Sequence, residues 1–189
     1  QLQTLILDEN NLVVFPDITG CSLLQNLDLS YNNLWYIPSE IGDHKLLQKL
    51  NLSFNKISIL PPTIGGLRNL QDFIFCDNLI QCLPEEITNC HNLETMCGFK
   101  NYIRKIPQDI DKMKNLQSLE LDDNEIEFLP DNICNLSQLT KVNLQENFLL
   151  SLPQNIGELS NLSELDVSCN KLLCLPSSLS KLCSLKSVN

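Results

Sequence analysis

Apolar residues recur along the chain in a short, fixed pattern. In the segment LQSLELDDNEIEFLPDNICNLSQ, which begins at Leu116, the apolar residues Leu119 and Leu121 alternate with polar ones. Alternation with a period of two predicts a short strand with one buried face. Further along, Ile133 and Leu136 have the spacing of one helical turn whose apolar side lies on the same core. Each such segment therefore predicts one strand followed by one turn of helix.

The pattern repeats along the whole chain. Its asparagines are spaced by 22 residues once and then by 23 residues six times: Asn10, Asn32, Asn55, Asn78, Asn101, Asn124, Asn147 and Asn170. The prolines keep the same spacing, except for the additional Pro62: Pro16, Pro38, Pro61, Pro84, Pro107, Pro130, Pro153 and Pro176. The chain divides into eight complete units and a ninth that begins at Leu185: residues 2–23, 24–46, 47–69, 70–92, 93–115, 116–138, 139–161 and 162–184. We expect one domain over residues 1–189, uncapped at both ends and therefore a segment of a longer protein.

Two features of the repeat predict contacts between units. Each repeated asparagine lies where the chain leaves its strand, so its amide is expected to bond backbone groups of its own turn and of a neighbouring unit. In the fifth unit Gly98 occupies a buried strand position that is usually leucine, and Phe75 holds the same position in the unit before it. Parallel stacking predicts that the larger Phe75 ring fills the space at Gly98.

The unit LxxLxLxxNxLxxLPxxIxxLxx resembles the leucine-rich repeat. The resemblance implies an α/β solenoid, a horseshoe with about eight parallel strands on its concave side and short helices or irregular turns on its convex side. The 23-residue form with LPxxIxxLxx, seen from Leu60 to Leu67 and from Leu152 to Leu159, resembles the intracellular group that includes Scribble, Erbin and the Ras-binding scaffolds. That similarity implies cytoplasmic scaffolding, including at the inner face of the plasma membrane, with small GTPases or phosphatases as partners.

Charge and composition narrow the classes of partner. The formal net charge of −10 argues against nucleic acid or anionic lipid, which require a basic surface, and favours a basic protein. Positions two to eight of every unit, with the partial ninth included, hold 12 acids and four lysines, so they carry a net charge of 4 − 12 = −8 out of the chain's −10. No apolar run approaches the length of a membrane span, which is about 18–20 residues.

The cysteines and sequons point to different compartments. Nine cysteines are present, an odd number without a CxxC pair, and Cys21 and Cys90 stand where the repeat requires a buried apolar residue. We therefore expect unpaired thiols and a reducing compartment. Three N-x-S sequons, at Asn51, Asn135 and Asn161, favour secretion. The repeat itself favours N-L-S at these places, which weakens that argument.

Few combinations of residues suggest a catalytic, redox or metal-binding site. The two histidines, His44 and His91, lie two repeats apart without a nucleophile or paired carboxylate at matching depth. Cys76 and Cys97 fall on neighbouring strands and face the same side, which permits a redox pair or half a metal site, although two unpaired thiols in an apolar patch are the simpler interpretation. We expect no catalysis and no cofactor or metal site.

The solvent-facing strand positions form columns on the concave face, where we expect the binding site. At its centre, four residues on two adjacent strands are not required for the core and predict an apolar patch rimmed by charge, typical of an interface: Ile74, Cys76, Cys97 and Phe99. Phe99 is expected to face solvent. The competing interpretation is that its ring turns inward at Gly98.

An acidic edge and an aromatic pair complete the predicted surface. Glu120, Asp122 and Asp123 lie beside the patch in a unit that contains no Lys or Arg. Tyr31 and Phe54 are adjacent in the eighth-position column and form a second candidate anchor. Packing at the rim of the sheet explains that pair equally well.

These features favour an intracellular scaffold that binds a folded, basic protein on its concave face. A secreted or receptor ectodomain that binds a ligand is the first alternative. The second is a targeting module of an enzyme whose catalytic domain lies outside this segment.

Overall fold

The computed structural model describes all residues of the chain, 1–189. One parallel sheet contains nine strands in chain order: β1 (Thr4–Ile6), β2 (Asn26–Asp28), β3 (Lys49–Asn51), β4 (Asp72–Ile74), β5 (Thr95–Cys97), β6 (Ser118–Glu120), β7 (Lys141–Asn143), β8 (Glu164–Asp166) and β9 (Ser187–Val188). Every strand pairs with the next at the same repeat positions, as Leu50 does with Phe73. The predicted parallel solenoid is therefore confirmed, and the partial ninth unit adds a strand to the eight expected.

The convex side carries 3-10 helices rather than α-helical turns. They are three to five residues long: Ser39–Asp43, Pro62–Gly66, Glu85–Asn89, Ile110–Lys112, Asp131–Asn135, Ile156–Glu158 and Ser177–Lys181. In one of them, the Ile64 N–H donates to the Pro61 carbonyl at 2.9 Å and the Leu67 N–H donates to the Ile64 carbonyl at 3.1 Å. In each of these bonds the N–H reaches the carbonyl three residues earlier, which is the 3-10 pattern. The segments are short, as 3-10 helices usually are. None of these helices reaches the length and hydrophobicity that a membrane span requires.

The repeated asparagines join each unit to the one before it. Asn78 Nδ2 lies 3.0 Å from the Leu52 carbonyl oxygen in the preceding unit and 3.2 Å from each of the Phe75 and Cys76 carbonyl oxygens in its own. Its Oδ1 accepts the Ile57 N–H of the preceding unit at 3.0 Å. Asn55 makes the same contacts one repeat earlier. The predicted asparagine ladder is therefore present.

The residue before each ladder asparagine has a left-handed backbone. The φ angles lie between 50° and 55° at all eight of these eighth positions, and none is glycine: Glu9, Tyr31, Phe54, Asp77, Lys100, Asp123, Glu146 and Cys169. This conformation costs an L-residue roughly 1–2 kcal/mol. Backbone hydrogen bonds to the next unit offset this cost, such as the one from the Asn55 N–H to the Asp77 carbonyl at 3.2 Å.

Phe75 fills the space beside Gly98, as the sequence predicts. A Cβ added at Gly98 would lie 2.2 Å from Phe75 Cε2 and 2.4 Å from its Cζ. The Phe75 ring is fully buried and packs on Phe73, with ring centroids 4.5 Å apart. Because Phe75 already occupies the hollow, the inward-turned alternative for Phe99 is not observed.

One core position carries a polar side chain without a partner. His44 is 4% exposed, and its buried Nδ1 has no hydrogen-bond partner. The same position is a buried leucine in other units, including Leu67 and Leu136. An unsatisfied buried polar atom costs about 1–3 kcal/mol.

We expect His44→Leu to raise the free energy of unfolding by about 1–3 kcal/mol, because it removes that cost and adds apolar burial. Thermal denaturation followed by circular dichroism measures the shift, at roughly 2–4 °C per kcal/mol. His91→Leu is the control. His91 is exposed, and its ring hydrogen-bonds only the Lys112 carbonyl, at 3.2 Å, so this variant should gain nothing. A melting temperature lowered by His44→Leu would contradict this expectation.

Candidate functional site

The concave face is formed by side chains at the third, fifth and seventh positions of each unit. At its centre, Ile74 on β4 and Cys97 on β5 are direct Cα partners across the sheet. Phe99 follows β5 by two residues. All three side chains are half-buried, so they present apolar surface to solvent on two neighbouring units. We call these three residues the apolar patch.

Cys76 differs from the prediction, because it is only 2% exposed and adds almost nothing to that surface. Cys76 holds the same seventh position as the half-buried Phe99, but its side chain is shorter and lies against Cys97. Ser30 and Ser53, which hold the same position in earlier units, are also buried. The Cys76 Sγ instead lies 3.2 Å from the Cys97 Sγ.

The two thiols perturb each other. The pKa of Cys76 is lowered, chiefly by its hydrogen bond with the Cys97 thiol, in which either sulfur can donate, while burial opposes this effect. The pKa of Cys97 is raised by that same hydrogen bond and by burial. No group of three or more His, Cys, Asp or Glu side chains is placed to hold a metal ion.

The acidic edge is partly neutralised by the following unit. Lys141 Nζ lies 2.9 Å from Glu120 Oε2, although the unit that contains Glu120 has no basic residue of its own. Asp122 Oδ1 accepts a bond from Asn143 Nδ2 at 2.9 Å. Burial raises the pKa of Asp122, and the neighbouring charges of Glu120 and Asp123 add to that rise. Asp123 is exposed and is the most accessible carboxylate of the three.

Tyr31 and Phe54 form a stacked aromatic pair at the rim of the sheet. Their ring centroids are 4.2 Å apart and the ring planes differ by 8°. Tyr31 is 51% exposed, whereas Phe54 is half-buried. The stack accounts for packing at the rim and also leaves one aromatic face open to a partner.

A shallow groove of about 340 Å³ covers the concave side of β1 to β4. Ile6 at one end is 63% exposed, and Ile74 of the apolar patch lies at the other end. Between them, Lys49 Nζ and Asp72 Oδ2 form an ion pair at 2.8 Å. The groove therefore extends the apolar patch toward the first repeats.

Sequence reasoning missed a second exposed apolar surface, on the flank of the solenoid. Positions ten, twelve and thirteen follow the ladder asparagine and are variable in the repeat pattern. They carry most of the large exposed apolar side chains: Val13, Val14, Trp35, Ile59, Leu79, Tyr102, Phe128, Phe148, Leu150 and Leu173. The signal was the recurrence of apolar residues at positions that the core does not use.

Comparisons with known proteins agree with this architecture. The family described as leucine-rich repeat region matches residues 98–189, and the family described as leucine rich repeat matches residues 23–44 and 46–67. The search of curated protein sequences finds no match.

Several solved structures resemble the chain over nearly its whole length. A leucine-rich-repeat protein of Leptospira interrogans, LIC12759, is 32% identical with a TM-score of 0.93, over 97% of this chain and 47% of that one. The plant peptide hormone receptor RGFR1, in complex with RGF2, is 30% identical with a TM-score of 0.72, over 99% of this chain and 35% of that one. Internalin C2 of Listeria monocytogenes shares the fold at 21% identity and a TM-score of 0.82, over 98% of this chain and 79% of that one. The chain thus spans about half of the leptospiral protein and about a third of the plant receptor.

Proposed function

Because the chain is a leucine-rich-repeat protein, we propose that it is an interaction module that binds a folded protein partner on its concave face. The observation that carries this proposal is the apolar patch of Ile74, Cys97 and Phe99, which lies half-buried on an open parallel sheet. Apolar side chains rimmed by charge are where binding energy concentrates in protein interfaces. The fold is typical of interaction modules rather than enzymes.

Charge favours a basic partner. The concave strands carry most of the net charge of −10, and Asp123 stands exposed beside the patch. The Lys141–Glu120 and Lys49–Asp72 pairs reduce the local negative field without reversing its sign. We therefore expect affinity for the partner to fall as salt is added.

The setting that best suits these features is intracellular scaffolding. The 23-residue repeat resembles the Scribble, Erbin and Ras-binding scaffold group, for which small GTPases or phosphatases are the partners to test. All nine cysteines are free, and such thiols suit a reducing compartment. This is the part of the proposal that rests on resemblance.

A receptor ectodomain is the second candidate, and a specific observation favours it. The plant receptor RGFR1, which the chain resembles, is described in complex with RGF2. The sequon residues Asn51, Asn135 and Asn161 remain candidates for glycosylation. Mass analysis of the native protein distinguishes the two settings, since glycan on any of these residues would place the protein outside the cytosol.

Phe99→Ala tests the concave site directly. We expect it to weaken partner binding at least about tenfold, because an aromatic anchor at an interface contributes about 2 kcal/mol or more. The melting temperature should stay close to that of the wild type, since Phe75 rather than Phe99 fills the core at Gly98. Partners are first recovered by affinity purification on the chain, and their dissociation constants are then measured by calorimetry.

Phe148→Ala is the matched control. It removes an aromatic ring that is 41% exposed on the flank, so it should leave concave-face binding unchanged. Loss of affinity in this control but not in Phe99→Ala would move the site to the flank. A fall in melting temperature for Phe99→Ala would instead give that ring a structural role.

A further inference from the structure

Cys76 and Cys97 bring their sulfur atoms together although they belong to different repeats. The two Sγ atoms are 3.2 Å apart, the one sulfur–sulfur contact among the nine free cysteines. Cys97 is the Cα partner of Ile74, and Cys76 follows Ile74 by two residues. The Cys76 side chain therefore reaches diagonally across the sheet to Cys97. The Cys76 N–H donates to Ser53 Oγ at 3.1 Å, which fixes the backbone that carries this thiol.

Their environments differ from those of the other buried cysteines. Cys76 shares a hydrogen bond with the Cys97 thiol, in which either sulfur can donate, and its pKa is lowered. Burial raises the pKa of Cys90 to about 12 and that of Cys134 to about 11. A thiolate is the nucleophile in cysteine oxidation, and of these buried cysteines only Cys76 also has a second sulfur in contact, that of Cys97, so this pair is the one placed for oxidation to a disulfide.

We propose that Cys76 and Cys97 form a redox-active thiol pair that hydrogen peroxide converts into a disulfide between two repeats. The Cys76 thiolate attacks one peroxide oxygen, the O–O bond breaks, and the departing hydroxide takes up a proton to become water. The sulfur of the resulting Cys76 sulfenic acid is then attacked by Cys97, the S–O bond breaks, and a second water leaves. The two thiols lose two electrons and two protons, and the peroxide is reduced to two waters.

The geometry permits both steps. A disulfide requires a sulfur separation of about 2.05 Å and Cα atoms within about 7 Å, whereas diagonal neighbours on adjacent strands lie about 7–8 Å apart. Bond formation therefore requires a small backbone shift after the end of β4 in addition to side-chain rotation. Cys97 is half-buried and adjoins the concave surface, which gives a small oxidant a route to the pair. A zinc site is less well matched, because no His, Asp or Glu completes a ligand set around the two sulfurs.

The test treats the purified chain with hydrogen peroxide, alkylates the remaining thiols and maps the peptides by mass spectrometry. The expected product has lost two hydrogens, contains one peptide pair linked through Cys76 and Cys97, and keeps the other seven thiols free for alkylation, since 9 − 2 = 7. Dithiothreitol should restore all of them. In Cys97→Ser, oxidation should stop at a Cys76 sulfenic acid that dimedone traps, because the resolving thiol is absent. No binding partner is needed, so the result is independent of the proposed function.

The exposed cysteines Cys82 and Cys169 serve as internal references. They are more accessible than Cys76, so a reaction governed by exposure alone would modify them first. Linkage of Cys76 to Cys97 before the references are consumed supports the proposal. Oxidation of Cys82 and Cys169 with Cys76 and Cys97 still open to alkylation would overturn it.

Discussion

Asn78→Ala is expected to lower the free energy of unfolding by about 3–5 kcal/mol. The Ile57 N–H is buried, and its partner is the Asn78 Oδ1, at 3.0 Å, so the variant leaves that donor unsatisfied. The carbonyls that Asn78 contacts keep other donors, as Leu52 does with Asn55 Nδ2 at 3.0 Å. The orphaned N–H therefore supplies most of the loss, and the bonds that the two amide hydrogens share among three carbonyls supply the rest.

Urea denaturation measures this change, with Asn10→Ala as the control. Asn10 is exposed and donates only to the Leu7 and Asp8 carbonyls of its own unit. Its replacement should cost less than about 1 kcal/mol. Equal losses in the two variants would mean that the ladder adds nothing beyond the local turn.

Phe75 and Gly98 should behave as an exchangeable pair. Gly98→Leu alone should destabilise by about 1–3 kcal/mol or more, because its Cβ would lie 2.2 Å from the Phe75 ring. Phe75→Leu alone leaves a cavity and should also destabilise. The double variant restores leucine at both positions, as in the other units. We expect it to recover most of the loss, with a coupling free energy of about 2 kcal/mol.

A double-mutant cycle in urea tests the pair, and Phe73 supplies a matched control. Phe73 is also fully buried, but it is the Cα partner of Met96 rather than a neighbour of the hollow at Gly98. Phe73→Leu should therefore fail to rescue Gly98→Leu. If the losses in unfolding free energy from Phe75→Leu and Gly98→Leu are additive, the large Phe75 ring does not compensate for the missing side chain at Gly98.

The fold was predictable because the same strand pattern, asparagine, proline and helical turn recur in every unit. A register slip would have separated Phe75 from Gly98 and misaligned the asparagines, so the sequence contained its own check. The 3-10 form of the convex turns was less evident, since Ile133 and Leu136 have a spacing that suits either kind of helix.

The candidate site was predictable only in part. Period-two reasoning placed Cys76 on the surface, but its short side chain lies against Cys97 of the next unit and is buried. Glu120 was placed in a unit without a cation, whereas Lys141 reaches it from the next unit. In both cases the position was judged within one unit, although its surroundings are set by two.

The asparagine ladder also bears on how such a chain changes length. Each junction needs one asparagine and one N–H two residues after the preceding asparagine, such as that of Ile57, and these groups recur in every unit. Duplicating or deleting a whole unit regenerates the same junction on both sides. Inserting a single residue between an asparagine and its strand would misplace the donor and the acceptor together. The solenoid can therefore grow or shrink in steps of one unit while its existing joints stay unchanged.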